Sequence, residues 1–199
     1  MTVSLLSSFL IFFISLVTSS NKVFTHAKPN ATATDELIHG ICCQTRNPSL
    51  CLQTLTPLKG ISLLLKPVAA LGTKPMNMAQ NQARSTHNKI WALHEKIENS
   101  TRNPNLIKQK QKYYKCHVKF SDARRRLTEA KMGMQKGNST SVRFYISMAV
   151  NQAGSCEAEF GNPPRPPSAV ANDFGRLGDV CSIILAICDK VEHNYMNMV

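Results

Sequence analysis

Three of the chain's seven cysteines fall within the ten positions from Cys42 to Cys51. That clustering constrains the fold more than any other feature. Leu37, Ile38 and Ile41 before it have helical spacing. Asn47 is a good N-cap, and Pro48 then occupies the first helical position, where its missing N–H costs nothing. The stretch therefore reads as a helix stop followed by a helix start. Cys42 ends one short helix and Cys51 lies in the second turn of the next. A tight helical hairpin brings two such cysteines within the Cα separation of about 4.4–6.8 Å that a disulfide requires. Closing so short a loop contributes about 2–3 kcal/mol on a chain-entropy estimate. Cys43, adjacent to Cys42, points elsewhere, and an odd total leaves at least one thiol free unless chains pair.

A disulfide needs an oxidising compartment, and the start of the chain supplies the route to one. Leu5 to Val17 is almost wholly apolar. It is too short for a membrane span of about 20 residues and suits a signal-peptide core. Residues 1–27 are read as that signal, with cleavage after Ser20 or Ala27, and residues 28–199 as one soluble domain. The mature protein is expected in the extracellular space, that is the apoplast or cell wall, or in the vacuole. The full chain carries 24 Lys and Arg against 12 Asp and Glu. The signal segment removes only Lys22, so the mature charge stays near +11. Such a balance points to an acidic partner, which for a secreted protein means acidic polysaccharide or acidic protein before nucleic acid. Three N-glycosylation sequons begin at Asn30, Asn99 and Asn138; Asn47-Pro48-Ser49 is excluded by its proline.

After the hairpin, placed at 34–58, Ile61 to Leu71 is broken by Pro67 and reads as short helical turns, punctuated by Gly72 and Pro75. Four long apolar stripes follow over 76–195, with steps of three and four. The first is Ala79, Ala83, Thr86, Ile90, Leu93, Ile97. The second, opened by an Asn103-Pro104 cap signal, is Tyr113, Cys116, Phe120, Ala123, Leu127, Ala130, Met134, and Gly137 ends it. The third is Val142, Ile146, Ala149, Ala153, Cys156, Phe160. Gly161 to Pro167 is a stiff loop that cannot be helical. The fourth stripe is Val170, Phe174, Leu177, Cys181, Ile184, Cys188, Val191, Tyr195. The fold class is therefore all-α: an up-down-up-down four-helix bundle with an N-terminal helical hairpin and two disulfides.

The second disulfide follows from heights along the bundle. Cys116 lies 21 residues before Gly137 and Cys156 lies 19 after it. At 1.5 Å per residue the two sit within about 3 Å of the same level on neighbouring antiparallel helices. Bridging them closes a loop worth about 4 kcal/mol. Cys181 and Cys188, seven apart on one helix, lie about 10 Å apart along its axis and cannot pair with each other. They read as small core hydrophobes.

With these residues in place the chain resembles the plant invertase and pectin methylesterase inhibitor family over about residues 35–193. Its Cys-x-x-Thr-x-x-Pro-x-x-Cys pattern is matched at Cys42, Thr45, Pro48 and Cys51. The second stripe matches at Cys116, Phe120, Ala123 and Leu127, the third at Ser147, Ala149, Cys156 and Phe160. The resemblance implies the hairpin-plus-bundle fold, with disulfides joining first to second and third to fourth of these cysteines. It also implies inhibition, through a protein–protein complex, of acid invertase or of pectin methylesterase. Invertase-directed members carry a Pro-Lys-Phe motif in the loop before the last helix. This chain has Pro164-Arg165-Pro166 there, keeping a proline and a cation but not the phenylalanine. That cation, together with the cysteine at 181, inclines the reading to invertase, with pectin methylesterase as the alternative. A pectin methylesterase target places the expected contact on the helix faces, whereas for an invertase target Pro163–Pro167 is the expected contact element. Its prolines hold the backbone extended before binding, and Arg165 reaches the paired carboxylates of a retaining glycosidase.

Two rival classes stand beside the inhibitor. An enzyme needs a catalytic set, and none is evident. His87 and His94 flank Trp91, but no full set of Asp, Glu or Cys ligands stands with them, so no metal or cofactor is expected. No serine-nucleophile elbow, Gly-rich phosphate loop or glycosidase carboxylate pair stands out. The third reading is a polyanion-binding wall protein. Lys108, Lys110, Lys112, Lys115, Lys119, Arg124, Arg125, Arg126, Lys131 and Lys136 share one helix with only Asp122 and Glu129. Arg124, Arg125 and Arg126 are the candidates for steering an acidic partner, possible acidic pectin included, or else form a solvated face. Aromatic interleaving for nucleic acid is limited to Tyr113, Tyr114 and Phe120.

Overall fold

The computed structural model describes residues 32–99 and 102–196, with side chains as far as His193. The expected signal segment 1–27, Asn30, Ser100, Thr101 and the side chain of Tyr195 lie outside the described residues. Among the described residues six α-helices run in order: α1 (Asp35–Cys42), α2 (Pro48–Leu55), α3 (Pro67–Glu95), α4 (Pro104–Gln135), α5 (Ser139–Glu159) and α6 (Ser168–Met196). A 3-10 turn, Thr56–Leu58, follows α2. Among the described residues there is no strand, only an isolated bridge between Thr32 and Ser62.

Side-chain caps start most helices. Thr34 Oγ1 accepts from the Leu37 amide at 3.2 Å at the head of α1. Asn47, Asn103 and Asn138 accept from the amides of Leu50, Asn105 and Ser141 at 3.1, 3.0 and 2.9 Å. Each satisfies a backbone donor that the first turn leaves without a partner. Gly137 ends α4 at φ +75°, a left-handed conformation that glycine adopts without steric cost.

The bundle starts earlier than the spacing predicts. The helix expected from residue 76 begins at Pro67, and Gly72 and Pro75 lie inside it. Pro67 sits at the first position, where a proline is favourable. Pro75 cannot donate to the carbonyl one turn back, which ordinarily costs about 3 kcal/mol. Here its ring is buried and Val68, Leu71, Met76 and Ala79 around it are all core residues, so packing carries the helix through. Gly72 has a packing reason as well: a Cβ there would lie 2.6 Å from Met134 Cε, so the glycine lets α4 close against α3.

The long helices pair in a ring, α3 with α4, α4 with α5, α5 with α6 and α6 with α3. Their expected stripes are buried: Ala79, Ala83 and Ile90; Cys116, Phe120 and Leu127; Val142, Ile146 and Ala149; Leu177, Ile184 and Cys188. Helix α6 buries more than its stripe, adding Val180, Ile183, Ala186 and Ile187. The reason is the hairpin, since α1 and α2 both pack on α6. The Arg46 amide donates to Ser182 Oγ at 3.2 Å and Asn47 Nδ2 to Asp179 Oδ2 at 3.2 Å, fixing the hairpin's turn to that helix.

Cys42–Cys51 closes the hairpin, with Cα atoms 5.3 Å apart, and Cys116–Cys156 joins α4 to α5, at 5.0 Å. Cys181 and Cys188 are buried free thiols, and burial pushes both up to about 12. Cys43 is a free, exposed thiol. The two bridges close segments of 9 and 40 residues. Replacing Cys51 by Ser is expected to cost about 2.5 kcal/mol and replacing Cys116 by Ser about 4 kcal/mol, measured by denaturant unfolding. Equal losses would contradict a loop-entropy origin for the difference.

Candidate partner-binding site

The loop between α5 and α6 is built on an aromatic floor. Phe160 is buried, with its ring centroid 5.4 Å from Tyr113 and 6.3 Å from Phe174; Phe174 lies 5.6 Å from Phe120. The Cys116–Cys156 bridge lies one helical turn away from Phe120 and Phe160 in sequence. Above this floor the chain turns, the Gly161 amide donating to the Ala158 carbonyl at 3.0 Å. The Pro167 carbonyl then accepts from the amides of Val170 and Ala171 at 2.9 and 3.1 Å and starts α6. The segment expected to be extended from Pro163 to Pro167 instead bends over 161–164 and includes a cis Pro163–Pro164 peptide. Arg165 is exposed, and Pro164 and Pro166 beside it are half-buried.

What holds the loop is a residue that charge patterning assigns to solvent. Lys112 is buried, its ammonium donating to the Asn162 carbonyl and, at 3.4 Å, to that of Pro163. The same ammonium lies 5.6 Å from the Phe160 ring centroid, a cation–π distance. Burial pushes the Lys112 pKa below the ordinary lysine range; Lys108 and Lys115 add to that, while Glu159 opposes it. The stem packs, and the head satisfies two loop carbonyls that have no helical partner. A net-charge count carries no signal for this role.

Other cations of α4 are likewise structural. Lys110 donates to the Ile97 carbonyl and to Asn99 Oδ1 at 2.6 Å, tying α4 to the end of α3. Lys115 pairs with Glu159 at 3.2 Å, and Lys131 reaches Asn77 and Gln80 at 3.0 and 3.3 Å. The arginines divide. Arg124 Nη1 lies 3.4 Å from His87 Nδ1 and Arg125 pairs with Asp122 at 3.0 Å. Both line one cleft with Arg84 of α3, whereas the half-buried Arg126 does not. Asn138 is exposed at the head of α5, and Asn99 is exposed between α3 and α4.

The histidines beside Trp91 join a stack that spans two helices. His87 and His117 have centroids 4.1 Å apart, Trp91 and His117 4.5 Å, Trp91 and His94 4.9 Å, His94 and Tyr114 6.0 Å. His94 Nδ1 and His117 Nδ1 are buried and have no hydrogen-bond partner among the described residues. Both pKa values are lowered, chiefly by burial, with Lys110 adding for His94 and His87, His94 and Arg124 adding for His117. For His94 and His117 burial therefore disfavours the charged ring in the seam. Among the described residues no group of three or more His, Cys, Asp or Glu is placed to hold a metal ion.

The model of the plant invertase/pectin methylesterase inhibitor family matches residues 36–187, and the chain belongs to that family. It is a family of inhibitor proteins rather than catalysts. A pectinesterase inhibitor from Actinidia deliciosa is 35% identical over 161 residues, covering 80% of this chain and 82% of that protein. Pectinesterase inhibitor 2 from Arabidopsis thaliana is 26% identical over 165 residues, covering 81% and 87%. The crystal structure of a mutant form of a pectin methylesterase inhibitor from Arabidopsis shares the fold, with a TM-score of 0.63 at 23% identity over 79% of this chain and 97% of that one.

Replacing Lys112 by Met keeps the stem and removes the donor. The expected cost is about 1–2 kcal/mol, because the Asn162 carbonyl loses a charged partner. Hydrogen exchange at the Gly161 amide should accelerate while the amides around Cys116 stay protected. Unchanged exchange at Gly161 would show that the aromatic floor alone holds the loop.

Proposed function

We propose that this chain is a secreted inhibitor of pectin methylesterase that acts by occluding the enzyme in a protein–protein complex. The observation that carries the reading is the 35% identity to the Actinidia deliciosa pectinesterase inhibitor across four-fifths of the chain. The Arabidopsis thaliana relative reported above bears the same description. Both favour pectin methylesterase over the acid invertase towards which Pro164-Arg165-Pro166 and Cys181 incline the sequence. Neither of those features is strong support for invertase: Cys181 is a buried core thiol, and the loop bends over 161–164. The apolar start of the sequence and the two disulfides support secretion to the cell wall. Among the described residues no helix is long and apolar enough to cross a membrane.

Inhibition then belongs to a surface rather than to a reactive group. The best-supported contact is the loop end of the bundle, where exposed Arg165 projects from a segment already fixed by Lys112 and Phe160. A contact ordered before binding loses little further entropy on complex formation. Arginine is also a frequent anchor of protein interfaces.

The test is a pair of inhibition titrations with refolded, oxidised protein, one on purified pectin methylesterase and one on purified acid invertase. The expected outcome is inhibition of the esterase only; inhibition of invertase only would reverse the assignment. Arg165→Ala is expected to weaken the esterase complex by about 1.4 kcal/mol or more, a tenfold loss in affinity. A loss below about 0.5 kcal/mol would remove Arg165 from the contact and move it to the helix faces.

A further inference from the structure

A second feature of α3 and α4 is not accounted for by the loop. Gln80 and Arg84 lie one turn apart on α3, and Ser121, Arg124, Arg125 and Thr128 fall at helical spacing on one face of α4. The antiparallel register, fixed where Lys131 reaches Asn77 and Gln80 and where Arg124 meets His87, brings the two sets across from each other. They line a cleft of about 320 Å³. Three arginines from two helices therefore line one cleft. Asp122 neutralises Arg125. Among the described residues no carboxylate pairs with Arg84 or Arg124, and Arg124 Nη1 lies 3.4 Å from His87 Nδ1. Three like charges gathered in a cleft with a single carboxylate beside them repel, and an anion placed between them relieves that repulsion.

We propose that this cleft binds the carboxylates of a polyuronate, an acidic sugar chain. Arginine presents a planar fork that matches a carboxylate with two parallel hydrogen bonds. Gln80, Ser121 and Thr128 supply the amide and hydroxyl groups that sugar hydroxyls need, and the cleft has no aliphatic or aromatic lining to favour an apolar ligand. Its volume is at the small end of the range for small-molecule sites, about 300–1,000 Å³, which suits one short segment of a chain. Lys131, beside Gln80, continues the positive charge along the seam, as a repeating anion requires. The proposal stands on the cleft alone, so its failure would leave the inhibitor reading intact.

The experiment is calorimetric titration of the full, oxidised protein with an oligogalacturonate at fixed ionic strength. Its methyl ester, inorganic phosphate and polyglutamate serve as the other probes. The oligogalacturonate is expected to bind, with the methyl ester and phosphate weaker by about tenfold or more. Replacing Arg84 and Arg124 together by Gln should lower affinity by at least about tenfold. Arg176→Gln, which removes one exposed charge from α6, should change it by less than about twofold. The charge-preserving pair Arg84→Lys and Arg124→Lys should still lose affinity, since an ammonium cannot make the bidentate contact. Loss of affinity in Arg176→Gln equal to that in the cleft variants would reduce the effect to net charge and overturn the site. So would full affinity in the lysine pair, or no binding at all. Phosphate bound as tightly would overturn the sugar assignment, and polyglutamate bound as tightly would replace it with an acidic protein surface.

Discussion

The bridge between Cys116 and Cys156 is the constraint on which the display of this molecule's surface depends. Helices α4 and α5 are already joined at Gly137, where the chain reverses. A hairpin fixed only at its turn can splay at its open end. The bridge fixes α4 to α5 near that open end, next to where the chain leaves α5 for the loop. Phe160 can then pack against Tyr113 and Phe174, and Lys112 can reach the loop carbonyls. Without a fixed distance between α4 and α5, neither the aromatic floor nor the lysine anchor has a defined partner. The hairpin bridge is more local. It holds α1 against α2 so that both cover α6, which explains why that helix buries far more than one stripe.

This arrangement suits a protein that works by presenting a shape. The core is apolar and contiguous, and the buried thiols of Cys181 and Cys188 are held protonated by burial. The charge lies outside, but not as a uniform coat. On α4 some cations fasten neighbouring segments, as Lys110, Lys112 and Lys131 do. Others converge on the cleft with Arg84. The high net charge is thus divided between holding helices in register and leaving guanidinium groups available to anions. The histidine stack packs the same seam, and burial disfavours the charged forms of His94 and His117 where cations already crowd.

Much of this was legible from residue spacing. Four stripes with steps of three and four give the bundle, because a helix buried on one side must repeat its apolar residues at that period. Equal heights on antiparallel helices gave the Cys116–Cys156 pairing, and cap-then-proline signals gave the starts of α2 and α4. The start of α3 was not legible: Pro67 and Pro75 read as breakers, yet one opens the helix and the other is carried by tertiary packing. Lys112 was hidden for a related reason. Its sequence neighbours are cations, and only the fold brings the carbonyls of a loop some 50 residues away over it. Arg84 carried no signal either, since its partners on α4 are set by the register of two helices rather than by local pattern. Arg124 and Arg125 share the cleft with Arg84 while Arg126 does not, a division set by where α3 lies and not visible in three consecutive arginines.

In the proposed complex the loop end of the bundle meets the enzyme as a preformed surface. Hydroxyl-radical footprinting of the oxidised protein, alone and in complex with purified pectin methylesterase, tests it most directly, because side-chain oxidation reports on prolines that have no amide. The account predicts protection of Pro163 to Pro167 and of exposed residues at the adjoining ends of α5 and α6, with α1 and α2 unchanged. Protection confined to α1 and α2, with the loop oxidised as in the free protein, would contradict it.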